Sequence, residues 1–139
     1  MAVRKPRKSA PASDPGQDRA VLAARAAYEL RAEEIVVLDV RAVCDFADYF
    51  VIAEATTSVR LRGVSDGVEK ALHATGARRL HRHGRDSGWI LLDYGDVVVH
   101  LFDSAARAHY QLESLWADAP VVKWEAPRSR AKKPENALP

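Results

Sequence analysis

The apolar residues of this chain recur with two periods, and the longer period predicts three helices. Residues 18–31 are rich in alanine and have high helix propensity. Residues 58–75 repeat apolar side chains at steps of three and four, follow a Thr-Thr-Ser N-cap and stop at Gly76. A third helix is predicted between Ser104 and Pro120, and its apolar stripe comprises Ala108, Leu112, Leu115 and Trp116.

Shorter runs of β-branched and aromatic residues predict strands. Residues 35–40 and 49–53 are continuous apolar runs, as in strands buried on both faces, and residues 78–83 are a weaker candidate. Residues 89–102 predict a hairpin, because two such runs flank a Tyr-Gly pair and Gly supplies the positive φ of a tight turn. The order of elements indicates an α/β fold, with a mixed sheet of about five strands and helices packed mainly on one face.

The predicted hairpin has two chemically different faces. If Tyr94 and Gly95 form the loop, Asp93 pairs with Asp96 and Trp89 pairs with His100, and side chains alternate between the faces. One face is wholly apolar and should pack under the helices: Ile90, Leu92, Val97, Val99 and Leu101. The other face holds Trp89, Leu91, Asp93, Asp96, Val98 and His100. This mixture is typical of a protein-binding patch, although another helix or a second copy of the chain would also cover it.

Composition separates a central domain, residues 17–119, from two basic ends. Residues 1–16 are predicted to be a disordered arm, and residues 120–139 a mostly disordered basic tail. The two ends carry nine basic and three acidic groups, so with +2 for the whole chain the central domain has a net charge of −4. An acidic body favours a basic protein partner, and contact of the tails with RNA stays open.

The sequence predicts a cytoplasmic protein that does not associate with a membrane. It lacks both an apolar run of the roughly 20 residues that span a bilayer and an apolar secretory block at the start. The single cysteine, Cys44, cannot form an internal disulfide, and we expect it to be a buried small apolar residue.

Few residues match the patterns that catalysis would need. A nucleotidyltransferase requires a Gly-Ser turn and metal-binding carboxylates that alternate along a strand, and neither is present. Asp93 and Asp96 instead flank the predicted turn, where Asp is common. His81 and His83 alternate along the weak strand, but no Cys or carboxylate accompanies them at zinc-site spacing. We therefore predict no catalytic residue, no metal and no cofactor.

Residues 89–102, Trp-Ile-Leu-Leu-Asp-Tyr-Gly-Asp-Val-Val-Val-His-Leu-Phe, closely resemble the signature of the ribosomal silencing factor family, RsfS, also called the Iojap family. Residues 48–53 resemble the strand motif of that family, and residues 110–116 resemble its final helix. The likeness covers roughly residues 18–119. Ala47 replaces the usual Thr, and His83 replaces the usual Glu before Gly84, which affects only local turns.

The resemblance implies a fold similar to nucleotidyltransferases without their catalytic motif. It implies a non-enzymatic protein that binds ribosomal protein number fourteen of the large subunit, blocks joining of the small subunit and lowers translation when nutrients are scarce. The expected partner-binding residues are Trp89, Leu91, Asp93, Tyr94, Asp96, Val98 and His100, with Tyr94 contributed by the loop. A factor for large-subunit assembly, a homodimer and a metal-dependent nucleotidyltransferase are the alternatives that stay open.

Overall fold

In a computed structural model, the described part of the chain comprises residues 14–84, 88–110 and 119–124, with only the main chain described at 108–110. Its helices are α1 (Pro15–Glu29), α2 (Ser58–His73) and α3 (Ser104–Tyr110). Its strands are β1 (Glu33–Asp39), β2 (Tyr49–Ala55), β3 (His81–His83), β4 (Trp89–Asp93) and β5 (Val97–Asp103). The elements follow one another in the predicted order, and the predicted third helix beyond residue 110 lies outside the described residues.

The strands form one mixed sheet in the order β1-β2-β5-β4-β3. β2 and β5 run parallel at its centre, and every other neighbouring pair is antiparallel. The central strands are buried on both faces, which is why the sequence shows them as nearly continuous apolar runs. The predicted α/β fold with a five-stranded mixed sheet is therefore confirmed.

The two long helices pack on one face of the sheet, over a core that combines small helix residues with large strand residues. The buried side of α1 consists of Gly16, Ala20, Ala23, Ala24 and Ala27. The buried side of α2 consists of Leu61, Val64, Ser65, Val68 and Leu72. The strand residues beneath them include all five members of the predicted apolar hairpin face. Because alanine keeps the α1 backbone close to the sheet, the large strand side chains fill the space between the layers.

The opposite face of the sheet carries a second apolar cluster. Phe50, Ile52, Val98 and Phe102 are buried there, and Ala106 of α3 packs against them. Cys44 is buried in the same cluster, as predicted for a small apolar residue. Among the described helices, none has the length and apolar character needed to cross a membrane.

The hairpin loop lies one residue further along the chain than predicted. The Tyr94 N–H donates to the Val97 carbonyl at 2.9 Å, so the loop is Gly95-Asp96, and Gly95 has φ +90°. Gly95 is the first residue of this two-residue loop, and glycine tolerates the positive φ that a tight hairpin requires there. Trp89 consequently pairs with Phe102, and the predicted pairing of Trp89 with His100 is wrong. Each residue of β4 therefore pairs with a β5 residue two positions beyond the predicted one. Because side chains alternate with a period of two, the strand residues stay on their predicted faces.

The first described residue, Asp14, already belongs to the fold. Its carboxylate caps α1 by accepting from the Gly16 N–H at 3.1 Å, and it also accepts from the Tyr49 hydroxyl at 2.7 Å. The sequence assigned Asp14 to the disordered arm, because a cap residue has no apolar periodicity of its own. The domain therefore begins before residue 17.

Residues 120–124 run along β1, the edge strand, although the sequence placed them in the disordered tail. The Asp39 N–H donates to the Pro120 carbonyl at 2.9 Å, and the Val122 N–H donates to the Val37 carbonyl at 2.8 Å. The Trp124 ring lies edge-on to Tyr28, with the ring centroids 5.6 Å apart. This segment therefore covers part of the β1 edge and extends the domain past residue 119.

A chain ending at Trp124 should be more stable than a chain ending at Ala119. The longer chain keeps two main-chain hydrogen bonds and the Trp124 contact, which together contribute on the order of 2 kcal/mol. Melting temperatures followed by circular dichroism should therefore differ by about 10 °C, since 1 kcal/mol shifts a domain of this size by several degrees. Equal melting temperatures would show that the segment does not stabilise the domain.

Candidate partner-binding surface

The sheet face opposite α1 and α2 carries most of the predicted partner-binding residues, but only part of it reaches the surface. Trp89, Leu91 and Asp93 of β4 are half-buried. On the neighbouring strand β5, Val98 and His100 are only 4% and 5% exposed. Of these residues, those on β4 can contact a partner, whereas Val98 and His100 belong to the interior.

β3 adds two histidines to the same edge of the sheet. His81 pairs with Asp93 and His83 pairs with Leu91, so both imidazoles lie on the face that carries Trp89. Both histidines are exposed, and their rings stack with centroids 5.8 Å apart. We call Trp89, Leu91, Asp93, His81 and His83 the β3–β4 edge surface. The alternation of the histidines was visible in the sequence, but the pairing that places them beside Leu91 and Asp93 was not.

Tyr94 does not belong to this surface, and its assignment there is a correction to the sequence prediction. It is 6% exposed and packs in the core under the long helices, with its hydroxyl 3.0 Å from His73 Nε2. Burial raises the pKa of Tyr94 to about 12. The prediction was wrong because the loop begins one residue later, so Tyr94 continues the alternation of β4 and points to the helix side.

Asp96 also does not lie on the face that the sequence predicted for it. It lies in the loop, and both carboxylate oxygens accept from Arg19 Nη1 of α1, at 2.8 and 2.7 Å. Its carbonyl accepts from the main-chain N–H groups of Asp48 and Tyr49 at 2.8 and 3.0 Å. Asp96 therefore fastens the hairpin loop to α1 and to the start of β2, and it is not an exposed contact residue of the mixed face.

The two hairpin carboxylates are bonded to different partners. The Asp93 carboxylate accepts from the Gly95 N–H at 2.8 Å, which is the turn-forming role that the sequence predicted. Asp96 is bound to Arg19 on the helix side of the sheet. Across the residues that the structure describes, no group of three His, Cys, Asp or Glu side chains could hold a metal ion.

Trp89 is held by aromatic neighbours on its own face. Its ring lies beside Phe102 with centroids 5.1 Å apart, and its indole N–H donates to His100 Nδ1 at 3.3 Å. The His100 ring in turn meets Phe50 edge-on at 4.7 Å. Burial lowers the pKa of His100 to about 3, so the ring is neutral at physiological pH. Trp89 thus presents an exposed part while the remainder of its ring is fixed.

A family model described as "Ribosomal silencing factor during starvation" matches residues 13–138 of the chain. The ribosomal silencing factor RsfS of Bacillus subtilis is 36% identical over 102 residues, which cover 73% of this chain and 86% of that protein. The RsfS protein of Halalkalibacterium halodurans is 34% identical over 110 residues, covering 78% and 94%. The chloroplastic protein Iojap of Zea mays is 32% identical over 104 residues, which are 75% of this chain but 46% of that longer protein.

Solved structures share the fold. A crystal structure of a Chromobacterium violaceum protein superposes with a TM-score of 0.72 at 25% identity, covering 88% of this chain and 100% of that one. A Bacillus halodurans protein superposes with a TM-score of 0.68 at 30% identity, covering 77% and 98%. Because the family model and these relatives match nearly the whole domain, this chain belongs to the RsfS family of ribosomal silencing factors.

Proposed function

We propose that this chain binds the large ribosomal subunit in the cytoplasm through ribosomal protein number fourteen, blocks joining of the small subunit and thereby represses translation. Membership in the silencing-factor family supports the ribosomal role. The observation that carries the proposed contact is the half-buried Trp89 on the β3–β4 edge surface. A domain bound on the intersubunit side excludes the other subunit by its volume, so an interface of ordinary size suffices.

Trp89 has the properties of an interface anchor. Its ring combines a large apolar area with fixed geometry, because Phe102 and His100 hold one side of it. Tryptophans in such settings are enriched among the residues whose truncation costs the most binding energy. Leu91 lies on the same face of β4 and adds apolar area beside it. The β4 strand is paired on both sides, so the anchor stands on a rigid element.

The charge of the domain supports a cationic partner. Residues 17–119 carry a net charge of −4. Asp93, which lies on the β3–β4 edge surface, contributes a carboxylate there. Ribosomal proteins are generally basic, and complementary charge mainly increases the rate and specificity of association.

We also propose that the chain acts without catalytic turnover. A nucleotidyltransferase centre would need carboxylates that converge on a metal. The Asp93 carboxylate instead accepts a hydrogen bond from the main chain of the turn, and the Asp96 carboxylate accepts one from Arg19.

Trp89→Ala should weaken binding to isolated large subunits by about thirtyfold or more, because truncating a hot-spot residue commonly costs about 2 kcal/mol. Affinity would be measured by sedimentation with purified subunits, and the melting temperature would be measured for the same sample. Ile90→Ala is the control, since Ile90 is buried on the helix side and its truncation should lower stability but not the affinity of folded protein. Wild-type affinity for Trp89→Ala would exclude this surface.

Asp93→Lys should weaken subunit binding several-fold at low salt, because it places a cation against a cationic partner. The loss should shrink as salt is raised, since exposed charges are screened within about 10 Å at 0.1 M salt. Asp66→Lys makes the same charge change on α2, where the Asp66 side chain is 71% exposed, and should have a smaller effect. Equal losses for both variants at every salt concentration would mean that Asp93 makes no local contact.

Incubation with the four nucleoside triphosphates and either Mg²⁺ or Mn²⁺ should release no pyrophosphate, because the hairpin carboxylates do not converge on a metal site. The measurement is a coupled pyrophosphate assay on protein that binds large subunits. A sustained rate that Asp93→Asn abolishes would contradict the proposal and would favour the nucleotidyltransferase alternative.

A further inference from the structure

His100 is a buried group that the proposed binding surface does not use directly. It lies on β5 opposite Leu91, is 5% exposed, and is surrounded by Phe50, Trp89 and Phe102. We propose that His100 is a positioning residue: its Nδ1 holds the Trp89 indole in the orientation that binds the large ribosomal subunit. This inference rests on the proposed function and adds to it a residue that does not itself contact the partner.

The hydrogen bond between the two side chains fixes the tautomer of His100. An indole nitrogen can only donate, so Nδ1 of His100 must accept the bond from Trp89 Nε1 at 3.3 Å and carries no proton. In a neutral imidazole the proton is then on Nε2. His100 therefore has one nitrogen, Nδ1, that accepts from Trp89, and one buried N–H group at Nε2.

The buried N–H group is a cost to folding. Nε2 of His100 is inaccessible and has no hydrogen-bond partner within the described part of the chain. A buried donor without an acceptor lowers the free energy of unfolding, and an apolar side chain of similar size would avoid that loss. Packing alone would thus favour Leu or Phe at this position, and within the described part of the chain the acceptor nitrogen is the polar atom of the imidazole that has a partner.

The acceptor matters because Trp89 is only half-buried. The Phe102 ring packs beside the indole, and the bond to His100 adds a directional restraint on the side-chain torsions of Trp89. The directional bond from the indole N–H to His100 Nδ1 favours one orientation before the partner arrives. An anchor that is fixed in its bound orientation loses less entropy on binding.

Two substitutions at position 100 separate the acceptor from the packing. His100→Leu fills the apolar site but removes the acceptor, so it should leave the melting temperature unchanged or higher. The same variant should weaken large-subunit binding by about three- to tenfold, as expected for the loss of one hydrogen bond. His100→Asn keeps an acceptor oxygen close to the position of Nδ1, so it should melt lower and yet bind more tightly than His100→Leu.

Nuclear magnetic resonance of the free, full chain gives a readout that does not depend on the ribosome. The indole N–H resonance of Trp89, assigned by its disappearance in Trp89→Phe, should shift in His100→Leu and stay closer to wild type in His100→Asn. Nitrogen-15 shifts of His100 should report a neutral ring protonated at Nε2 alone. An unchanged Trp89 resonance in His100→Leu, or a proton on Nδ1, would overturn the positioning role.

The binding measurements distinguish this inference from the proposed function. If Trp89→Ala loses binding while His100→Leu binds like wild type, the surface is correct and the role of His100 is wrong. If Trp89→Ala binds like wild type, the proposed surface fails and the role of His100 in binding fails with it. Trp89→Phe lacks the indole donor, so adding His100→Leu to it should reduce affinity less than twofold further. A full additional loss would show that His100 acts independently of Trp89.

Discussion

The parallel pairing of β2 with β5 is the constraint on which the rest of this structure depends. Tyr49 to Ala55 pair in unbroken register with Val97 to Asp103. Parallel strands need a long connection between them, and here that connection contains α2, β3 and β4. α2 covers one face of the sheet, while β4 pairs with the free side of β5. β4 therefore lies between β5 and the edge strand β3, which places Trp89 near one side of the sheet.

Ion pairs hold the chain segments that meet at the ends of these strands. Arg19 binds Asp96 in the hairpin loop, and Arg41, which is held by Asp39 at the end of β1, lies 3.5 Å from the Asp14 carboxylate that caps α1. Burial tends to raise the pKa of Asp14, but hydrogen bonds from Tyr49 and the main chain, together with the charge of Arg41, lower it overall. Part of the charge of the acidic body is therefore used to join α1, β1 and the hairpin, and the remainder is available to a partner.

The two faces of the sheet serve different purposes. The face beneath α1 and α2 is closed by apolar side chains, whose burial stabilises the fold. On the opposite face, aromatic rings lead from Phe46 through Phe50 and His100 to Trp89. The polar His100 ring within this row gives the half-buried Trp89 a hydrogen-bond acceptor. Under the proposed function, binding of the large subunit would rely on this kind of fixed contact.

The sequence by itself determined the order of elements, the mixed sheet and the apolar face of the hairpin, because side-chain periodicity reports directly which face of an element is buried. It also determined the alternation that puts Trp89 and His100 on one side. Only the tertiary structure decided the register of the hairpin, since either Tyr94-Gly95 or Gly95-Asp96 satisfies the local preference of a glycine turn. Tyr94 contacts His73 and Asp96 contacts Arg19, and each of these pairs joins residues that are far apart in the chain. The pairing of residues 120–124 with β1 also joins distant segments. Local patterns predict which residues are buried, but the partner of each residue is set by the packing of distant segments.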